Sequence, residues 1–336
     1  MAPSHSTSKR KTVLPLHIDT ASFLNPPAPQ GTSFTVGNVL GRRCTAKRPV
    51  TFLILLLLMS VGWNVLQYRF DWRQQQQHYG VYDPLPAAPL PHHRHAIIVT
   101  GHAIYTGART NTSAIYDESN WILESYQHGQ LGTFIEHIQK GIDILISDPL
   151  ALLVFSGGQT RPSAGPISEG ASYWQVAQIL IQQSDQRHHL RNRMIVEDYA
   201  RDSYENILFS LCRFAEMTNE YPSHLTIIGF DFKRPRFEQL HIPSIRYPLD
   251  QFDYIGIDPT NDDDNEAAKR GELANSFTPF STDLYACRGS LRQKKLDRNP
   301  YRRRSPYRST CPALTPLLDY CPYTNKIFTG PLPWAS

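Results

Sequence analysis

The chain has 336 residues, enough for about two ordinary domains. Hydrophobic residues make up 40% of it and charged residues 19%, which excludes a fully disordered chain, a coiled coil and a multi-span transporter. The formal net charge of +4 is unevenly distributed, because residues 1–48 and 288–308 are strongly basic and the remainder is acidic. No groove-reading or base-stacking motif accompanies the basic segments, so we expect no nucleic-acid partner.

The N-terminal third predicts a tail, an anchor and a linker. Residues 1–48 are rich in Ser, Thr and Pro without a sustained hydrophobic period, which indicates a disordered basic tail. Residues 49–68 carry no charge, and about 20 such residues form a helix of about 30 Å, enough to cross a bilayer. A buried core helix and a late signal peptide are the alternatives. Basic residues are more numerous before this segment than after it, which predicts a single-pass protein of an endomembrane or plasma membrane with a cytosolic N-terminus. A polar, then Pro-rich linker follows at residues 69–94.

The middle of the chain alternates short apolar segments with helical patterns. Predicted strands lie at 96–100, 152–155, 194–196 and 225–228, with 245–247 as a candidate fifth. Predicted helices lie at 120–140, 168–183, where Ser168 is the expected N-cap, and 203–218. This alternation predicts an α/β fold for residues 95–255, a Rossmann-like three-layer sandwich with a mainly parallel sheet, preceded by one transmembrane helix.

Ligands of such sheets bind beyond the carboxyl ends of the strands, so the loops there are informative. Gly101 follows the first strand without a GxGxxG pattern, which excludes a nicotinamide or flavin fingerprint. Ser156, Gly157 and Gly158 follow the second strand, and Arg161 and Glu169 come after them. Their backbone amides and the next helix N-terminus predict an anion site, although a tight turn is the alternative.

The third and fourth strand ends add acids and cations. Ser203, Glu205 and Asn206 open the helix after the third strand, where helix capping is the alternative role. Lys233 and Arg236 follow the fourth strand. Acids and cations at one edge of a sheet predict a polar pocket for an anionic ligand. In this pocket Glu169 or Glu205 would act as acid or base, Asn206 would orient the ligand, and the cations would hold it.

These residues resemble the ElyC, SanA and YdcF superfamily, which contains the domain of unknown function 218. The matching positions are Gly101, Ser156-Gly157-Gly158, Glu169, Ser203-Tyr204-Glu205-Asn206 and Arg236, with Lys233 where bacterial members usually have His. The C-terminal region looks like the fungal, single-pass membrane-anchored branch. The resemblance implies envelope or endomembrane biology and, in some members, binding of S-adenosylmethionine.

The C-terminal extension, residues 256–336, carries an acidic and a basic segment. Residues 258–272 are predicted to be a solvated loop rather than a metal site, because an EF-hand pattern is absent. The basic segment 288–308 is predicted to be a solvated arm, with docking on the acidic domain or contact with anionic lipid as alternatives. Cys311 and Cys321 would pair in an oxidising compartment, whereas Cys212 is predicted to be an inert buried thiol. Asn111 begins a glycosylation sequon.

Two classes of function fit the sequence. The first is an enzyme, a hydrolase or transferase, that acts on an anionic small molecule such as a nucleotide-like or phosphorylated, lipid-linked compound. The second is a non-catalytic binding or scaffold domain tethered to a lipid bilayer through residues 49–68. No zinc spacing, P-loop or nucleophile–His–Asp pattern appears, so we predict no metal site and leave the reaction type open.

Overall fold

The computed structural model describes residues 54–67, 69, 90, 92–109, 111–260 and 262–335, and the chain divides into two units, Met1–Asp83 and Pro84–Ser336. The predicted tail 1–48, most of the linker 69–94 and both ends of the predicted anchor 49–68 lie outside the described residues. Residues 54–67 form a helix whose side chains are all exposed. Within the described ranges, no helix combines the length and the apolar character needed to cross a membrane.

The Pro84–Ser336 unit contains a parallel five-stranded sheet. The strands in the described residues of this unit are His95–Thr100 (β1), Ile104–Tyr105 (β2), Trp121–Ile122 (β3), Ala151–Ser156 (β4), Met194–Glu197 (β5), His224–Gly229 (β6) and Phe252–Gly256 (β7). The sheet order is β5-β4-β1-β6-β7 with every neighbouring pair parallel, while β2 and β3 form a separate antiparallel pair. The chain order of the strands reverses beside β1, which is consistent with a Rossmann-like fold and locates its crevice between β1 and β6.

Six helices of at least six residues accompany the sheet in the described part of this unit. They are Leu131–Ser147 (α1), Glu169–Leu180 (α2), Arg187–Asn192 (α3), Ser203–Thr218 (α4), Asp262–Glu272 (α5) and Gly289–Asp297 (α6). Shorter helical segments are Arg234–Arg236, Ile242–Ser244, Thr278–Thr282, Tyr307–Thr310 and Thr315–Leu318. The Ser168 hydroxyl accepts a hydrogen bond from the Ala171 amide and caps α2, as predicted, and Asp202 caps α4 through the Glu205 amide.

The core lies on both faces of the sheet because side chains alternate along each strand. Ile97 and Val99 of β1 face a cluster that includes Phe134 of α1 and Tyr173 of α2. Their neighbours on β1 face a second cluster formed with α4 and the C-terminal extension, with Ala96, Ile98, Ile207, Tyr285, Tyr307 and Leu317 among its members. The extension therefore shares a hydrophobic core with the sheet and belongs to the same compact unit.

Three sequence-based element predictions are wrong. The helix predicted at 120–140 begins only at Leu131, because Trp121–Ile122 pairs as a strand and Gly129 takes a left-handed conformation. Residues 245–247 form no strand, since Arg246 has a φ of 51°, and the fifth parallel strand is Phe252–Gly256. The acidic segment predicted as a loop contains α5.

The cysteines and the basic segment also differ from their predictions. Cys212 is bonded to Cys311, and Cys287 is bonded to Cys321, so Cys311 does not pair with Cys321 and Cys212 is no free thiol. The basic segment 288–308 docks on the domain as α6 and the residues after it, the alternative to a solvated arm.

Candidate functional site

A cavity of about 750 Å³ lies at the carboxyl ends of the parallel strands. The loops after four strands contribute to its wall: Gly101 and His102 after β1, Thr160, Arg161 and Glu169 after β4, Asp202, Ser203 and Asn206 after β5, and Phe230, Phe232, Lys233 and Arg236 after β6. Glu272 of α5, Lys294 of α6 and Arg298 complete the wall from the C-terminal extension. The sheet thus brings together seven of the eleven predicted site residues: Gly101, Arg161, Glu169, Ser203, Asn206, Lys233 and Arg236.

One wall of the cavity is strongly cationic. Lys233 makes no ion pair within the described residues, and its Nζ lies 4.8 Å from the centre of the Phe230 ring and 3.4 Å from His102 Nδ1. Burial, together with the Arg236 guanidinium, lowers the pKa of Lys233 to about 7. Burial and the neighbouring Arg298 lower the pKa of Lys294 to about 8. Burial therefore makes the charged form of both lysines less favourable, and a bound anion would stabilise that charged form.

Arg236 is the most buried cation of the wall, with 7% of its surface exposed. Its guanidinium lies 3.2 Å from the carboxylate of Glu272, a residue of the segment predicted to be a solvated loop. Arg236 Nε has no hydrogen-bond partner in the described part of the chain. A buried donor without an acceptor is costly, so this group indicates a ligand atom that the protein does not itself supply.

Glu169 is the carboxylate that the glycines accommodate. A Cβ atom at Gly101 would lie 2.5 Å from Glu169 Cβ, and one at Gly157 would lie 2.7 Å from the same atom. Only glycine leaves room for this side chain between the two strand ends, since real Cβ atoms do not approach so closely. The carboxylate accepts a hydrogen bond from the Thr160 hydroxyl and lines the cavity.

The amides of Gly157 and Gly158, predicted to contact an anion, donate instead to carbonyls of the protein. The Gly157 amide donates to the Glu197 carbonyl at 3.0 Å, and the Gly158 amide donates to the Ala200 carbonyl at 2.7 Å. The Ser156 hydroxyl is fully buried and donates to the Glu197 carboxylate at 2.8 Å. These groups join β4 to β5 and do not line the cavity, so the tight-turn alternative holds for them.

Glu205, predicted to act as acid or base, forms ion pairs with two cations. Its carboxylate accepts hydrogen bonds from Arg201 Nε at 2.9 Å and Arg201 Nη2 at 2.6 Å, and it lies 3.4 Å from Lys295 Nζ. Burial opposes its ionisation, but Lys295 and Arg201 together hold the pKa of Glu205 below its usual value. It does not line the cavity, and its contacts are those of a support that holds Arg201 in position.

The remaining predicted residues have polar contacts at the wall. Arg161 forms an ion pair with Glu124. The Asn206 side-chain oxygen Oδ1 accepts a hydrogen bond from the Ser156 hydroxyl at 3.0 Å, which fixes the side-chain amide against β4. The Ser203 hydroxyl lies 2.8 Å from His241 Nε2. Asn111 is exposed, with its side-chain oxygen accepting from the Ser113 amide and hydroxyl.

Comparison with known proteins gives one informative match. The chain is 33% identical over 215 residues to "Uncharacterized protein YOR238W" of Saccharomyces cerevisiae, and the match covers 52% of this chain and 71% of the yeast protein. The chain belongs to the family of this yeast protein. No family model and no solved structure matches it. The yeast relative is described as uncharacterised, so its name assigns no chemistry to the cavity.

Sequence reasoning missed Glu197, the last residue of β5. It is fully buried and accepts hydrogen bonds from the hydroxyls of Ser156 and Tyr307 and from the amides of Tyr199 and Ala200. Burial raises the pKa of Glu197 to about 7, despite these four donors. Its position at the end of an apolar strand was the feature of the sequence that could have identified it, because a carboxylate rarely ends a buried strand without a partner.

Sequence reasoning also missed the cations that α6 adds. Lys295 lies 3.2 Å from Asp202 and 3.4 Å from Glu205, and both carboxylates are buried. Arg298 donates to the Arg201 carbonyl at 3.0 Å, and Arg303 lies 3.1 Å from the Asp198 carboxylate. The basic segment therefore neutralises the acidic loop after β5 and lines the cavity with further positive charge.

Proposed function

We propose that the cavity binds an anionic, phosphorylated small molecule. The observation that carries this proposal is Lys233, a desolvated lysine without an ion-pair partner in the described residues, beside the partly unsatisfied guanidinium of Arg236. Placing the unpaired Lys233 beside Arg236 opposes folding, whereas a phosphate group would interact favourably with both cations. Lys294 and Arg298 extend the same positive wall.

The shape and lining of the cavity favour a nucleotide-like ligand. Its volume, about 750 Å³, lies within the range of about 300 to 1,000 Å³ that small-molecule sites occupy. Phe230 and Phe232 stack with ring centres 4.7 Å apart and both line the wall, with Tyr126 also in the lining. Aromatic faces beside a cationic wall suit a planar base or a sugar joined to phosphate.

The proposed activity is hydrolysis or transfer of the phosphorylated group. Glu169 is the carboxylate that faces the cavity without an ion-pair partner among the described residues, so it is the candidate acid or base. The cations would stabilise negative charge that develops on the transferred group. A binding domain without chemistry would use the same cations but would not require Glu169.

We also propose membership of the ElyC, SanA and YdcF superfamily. In support, the Glu169 side chain packs against Gly101 and Gly157 so closely that a Cβ at either position would clash with it, so three of the resembling positions lie together. Six cations and three carboxylates line the cavity among the described residues, and this balance suits a phosphate better than the sulfonium and ammonium cations of S-adenosylmethionine. We therefore derive no step through that cofactor.

We propose that residues 49–68 anchor the chain in a bilayer, with the Pro84–Ser336 unit in an oxidising compartment. The segment is uncharged, and its described part, 54–67, is a helix with exposed apolar side chains. The two disulfides support an oxidising environment. Endoglycosidase digestion of the expressed full chain should increase its mobility, and Asn111→Gln should abolish the change. A mobility unaffected by digestion would count against this topology.

Ligand binding by the full chain tests the proposed function directly. A panel of nucleotides, sugar phosphates, inorganic phosphate and S-adenosylmethionine is compared by thermal shift and calorimetry. Phosphorylated compounds should bind, and Lys233→Met should reduce their affinity at least tenfold. Lys140→Met, the same change at an exposed helix position, is the matched control. Equal binding by both variants would refute the proposal. Glu169→Gln, which keeps the shape of the side chain, should retain binding but lose turnover of a bound phosphate ester.

A further inference from the structure

Ser203 lines the cavity and contacts a histidine buried behind it, His241, and the proposed function uses neither as a reacting group. Ser203 is the first residue of α4 and lines the cavity. Its hydroxyl oxygen lies 2.8 Å from Nε2 of His241, a residue 38 positions further along the chain. The distance is that of a hydrogen bond between a hydroxyl and an imidazole nitrogen.

The surroundings of His241 keep its imidazole neutral. The side chain is fully buried, and the rings of Phe280 and Phe237 contact it with centres 4.6 Å and 5.3 Å away. Burial, and then the positive charges of Arg236 and Lys295, hold the pKa of His241 well below 6.5. A neutral imidazole has one nitrogen free to accept a proton, which is the state that a general base requires.

No carboxylate completes a triad. His241 Nδ1 has no hydrogen-bond partner in the part of the chain that the structure describes, so the pair is a dyad whose orientation comes from aromatic packing. The imidazolium that forms on proton transfer would instead be stabilised by the negative charge of a ligand in the cavity. An anionic substrate would thus supply the charge that an aspartate supplies in a triad.

We propose that Ser203 is the nucleophile of a phosphoryl transfer in this cavity and that His241 is its general base, an inference that rests on the proposed function. The Ser203 oxygen forms a bond to phosphorus while its proton passes to His241 Nε2. The bond between phosphorus and the leaving oxygen breaks, and His241 returns the proton to that oxygen. Water then attacks the phosphoserine and gives its proton to Glu169, the acid or base of the proposed function, and the serine oxygen leaves with that proton. Arg236 and Lys233 lie on the same wall and would bind the phosphoryl oxygens.

A fluorophosphonate probe tests the nucleophile in the full chain. The serine oxygen would bond to phosphorus, fluoride would leave, and the proton would go to His241. Mass spectrometry should locate the adduct on Ser203, and Ser203→Ala should abolish labelling. Ser309→Ala, at an exposed serine of the C-terminal extension, should label as the wild type does. An adduct on another residue, or labelling that survives Ser203→Ala, would refute the proposal.

The base is tested by the rate of labelling. His241→Gln should reduce the rate at least 100-fold, the lower end of the range for general-base catalysis. Circular dichroism verifies that this variant is folded. If it does not fold, Ser203→Cys replaces it, and a histidine base predicts thiol alkylation by iodoacetamide far faster than that of an exposed peptide thiol. An unchanged labelling rate in folded His241→Gln, or an ordinary thiol rate in Ser203→Cys, would refute the role of His241.

The two proposals fail separately. Sulfate occupies an anion site without reacting, so calorimetry with sulfate measures the proposed anion binding in the unmodified chain. Sulfate binding without any fluorophosphonate adduct would leave the anion site intact and refute the nucleophile. Absence of sulfate binding would refute the anion site itself.

Discussion

The pH dependence of sulfate binding is the most direct consequence of the lysine environment. Sulfate remains a dianion throughout the neutral range, so any change in its affinity reports titration of the protein. The pKa of Lys233 is lowered to about 7 by burial and by Arg236, and a bound dianion would keep the amine protonated. Affinity should therefore be highest below pH 7 and should fall as the pH rises.

The size of the fall follows from the fraction of protonated lysine. With a pKa of about 7, Lys233 is about 90% protonated at pH 6 and about 10% protonated at pH 8, which weakens binding about tenfold, or about 1.4 kcal/mol. Lys294, with a pKa of about 8, adds about a further twofold. The stability of the unliganded protein should depend on pH in the opposite direction from sulfate binding. Its free energy of unfolding gains a contribution that rises above pH 7, because the unfolded chain then holds protons that the folded chain has released.

Calorimetry of the full chain between pH 6 and pH 8 measures this dependence. Lys233→Met should bind sulfate weakly at every pH and should retain only about the twofold change that Lys294 contributes. Lys140→Met should keep the wild-type dependence, since its side chain is exposed. A tenfold dependence that persists in Lys233→Met, or a wild-type affinity that does not change with pH, would refute the reasoning.

Two further predictions concern stability and are measured by urea denaturation. Lys295→Met removes the cation between two buried carboxylates, those of Asp202 and Glu205, and should cost about 3 to 5 kcal/mol, whereas Lys294→Met should cost little. Equal effects of these two substitutions would contradict the ion-pair geometry. Gly170→Ala places a Cβ 2.5 Å from the Phe155 carbonyl and 2.6 Å from that of Glu197, so it should destabilise the fold by about 1 to 3 kcal/mol. Gly132→Ala, in open space on α1, should be neutral or stabilising, and a loss of stability there would contradict the argument.

Local patterns in the sequence were sufficient for most of the sheet and for two of the main helices. The strands at 96–100 and 225–228 and the helix at 203–218 are confirmed, because apolar runs and capping residues act within a few positions. The candidate strand at 245–247 fails for a tertiary reason. Its apolar residues, Ile245 and Tyr247, are buried against α4 and the extension while Arg246 turns the backbone between them.

The position of the cavity in the fold could be predicted from the sequence, but the contacts of its residues could not. Parallel strand ends meet at one edge, and this rule placed Glu169, Lys233 and Arg236 together. The ion-pair and hydrogen-bond partners of the site residues could not be predicted, because these contacts join residues that are distant in sequence. Glu205 pairs with Lys295, 90 positions away, and Ser203 meets His241 only because the helical turns after β6 fold back over α4.

The last prediction follows from the way the disulfides bracket α6. Cys287 lies just before this helix and Cys311 lies beyond it, bonded to Cys321 and Cys212 respectively. Without α6 the loop after β5 would expose Asp202 and Glu205 to the cavity without Lys295, and the wall would lose Lys294. Part of the positive charge of the cavity, that of Lys294, thus depends on a helix flanked by two disulfide-bonded cysteines.

Reduction should therefore weaken anion binding before it unfolds the sheet. Removing one disulfide of this kind costs about 2 to 4 kcal/mol, and that cost should fall first on the segment containing α6, since β1, β4 and β6 are bonded to one another independently of it. Sulfate calorimetry on protein treated with a thiol-free phosphine reductant, with iodoacetamide mass spectrometry to count free thiols, measures the effect. Cys44, the remaining cysteine, is changed to Ser beforehand so that four thiols mark complete reduction. Unchanged sulfate affinity after complete reduction would contradict this prediction. It would show that α6 stays docked without the disulfides, so that the charge of the cavity does not depend on them.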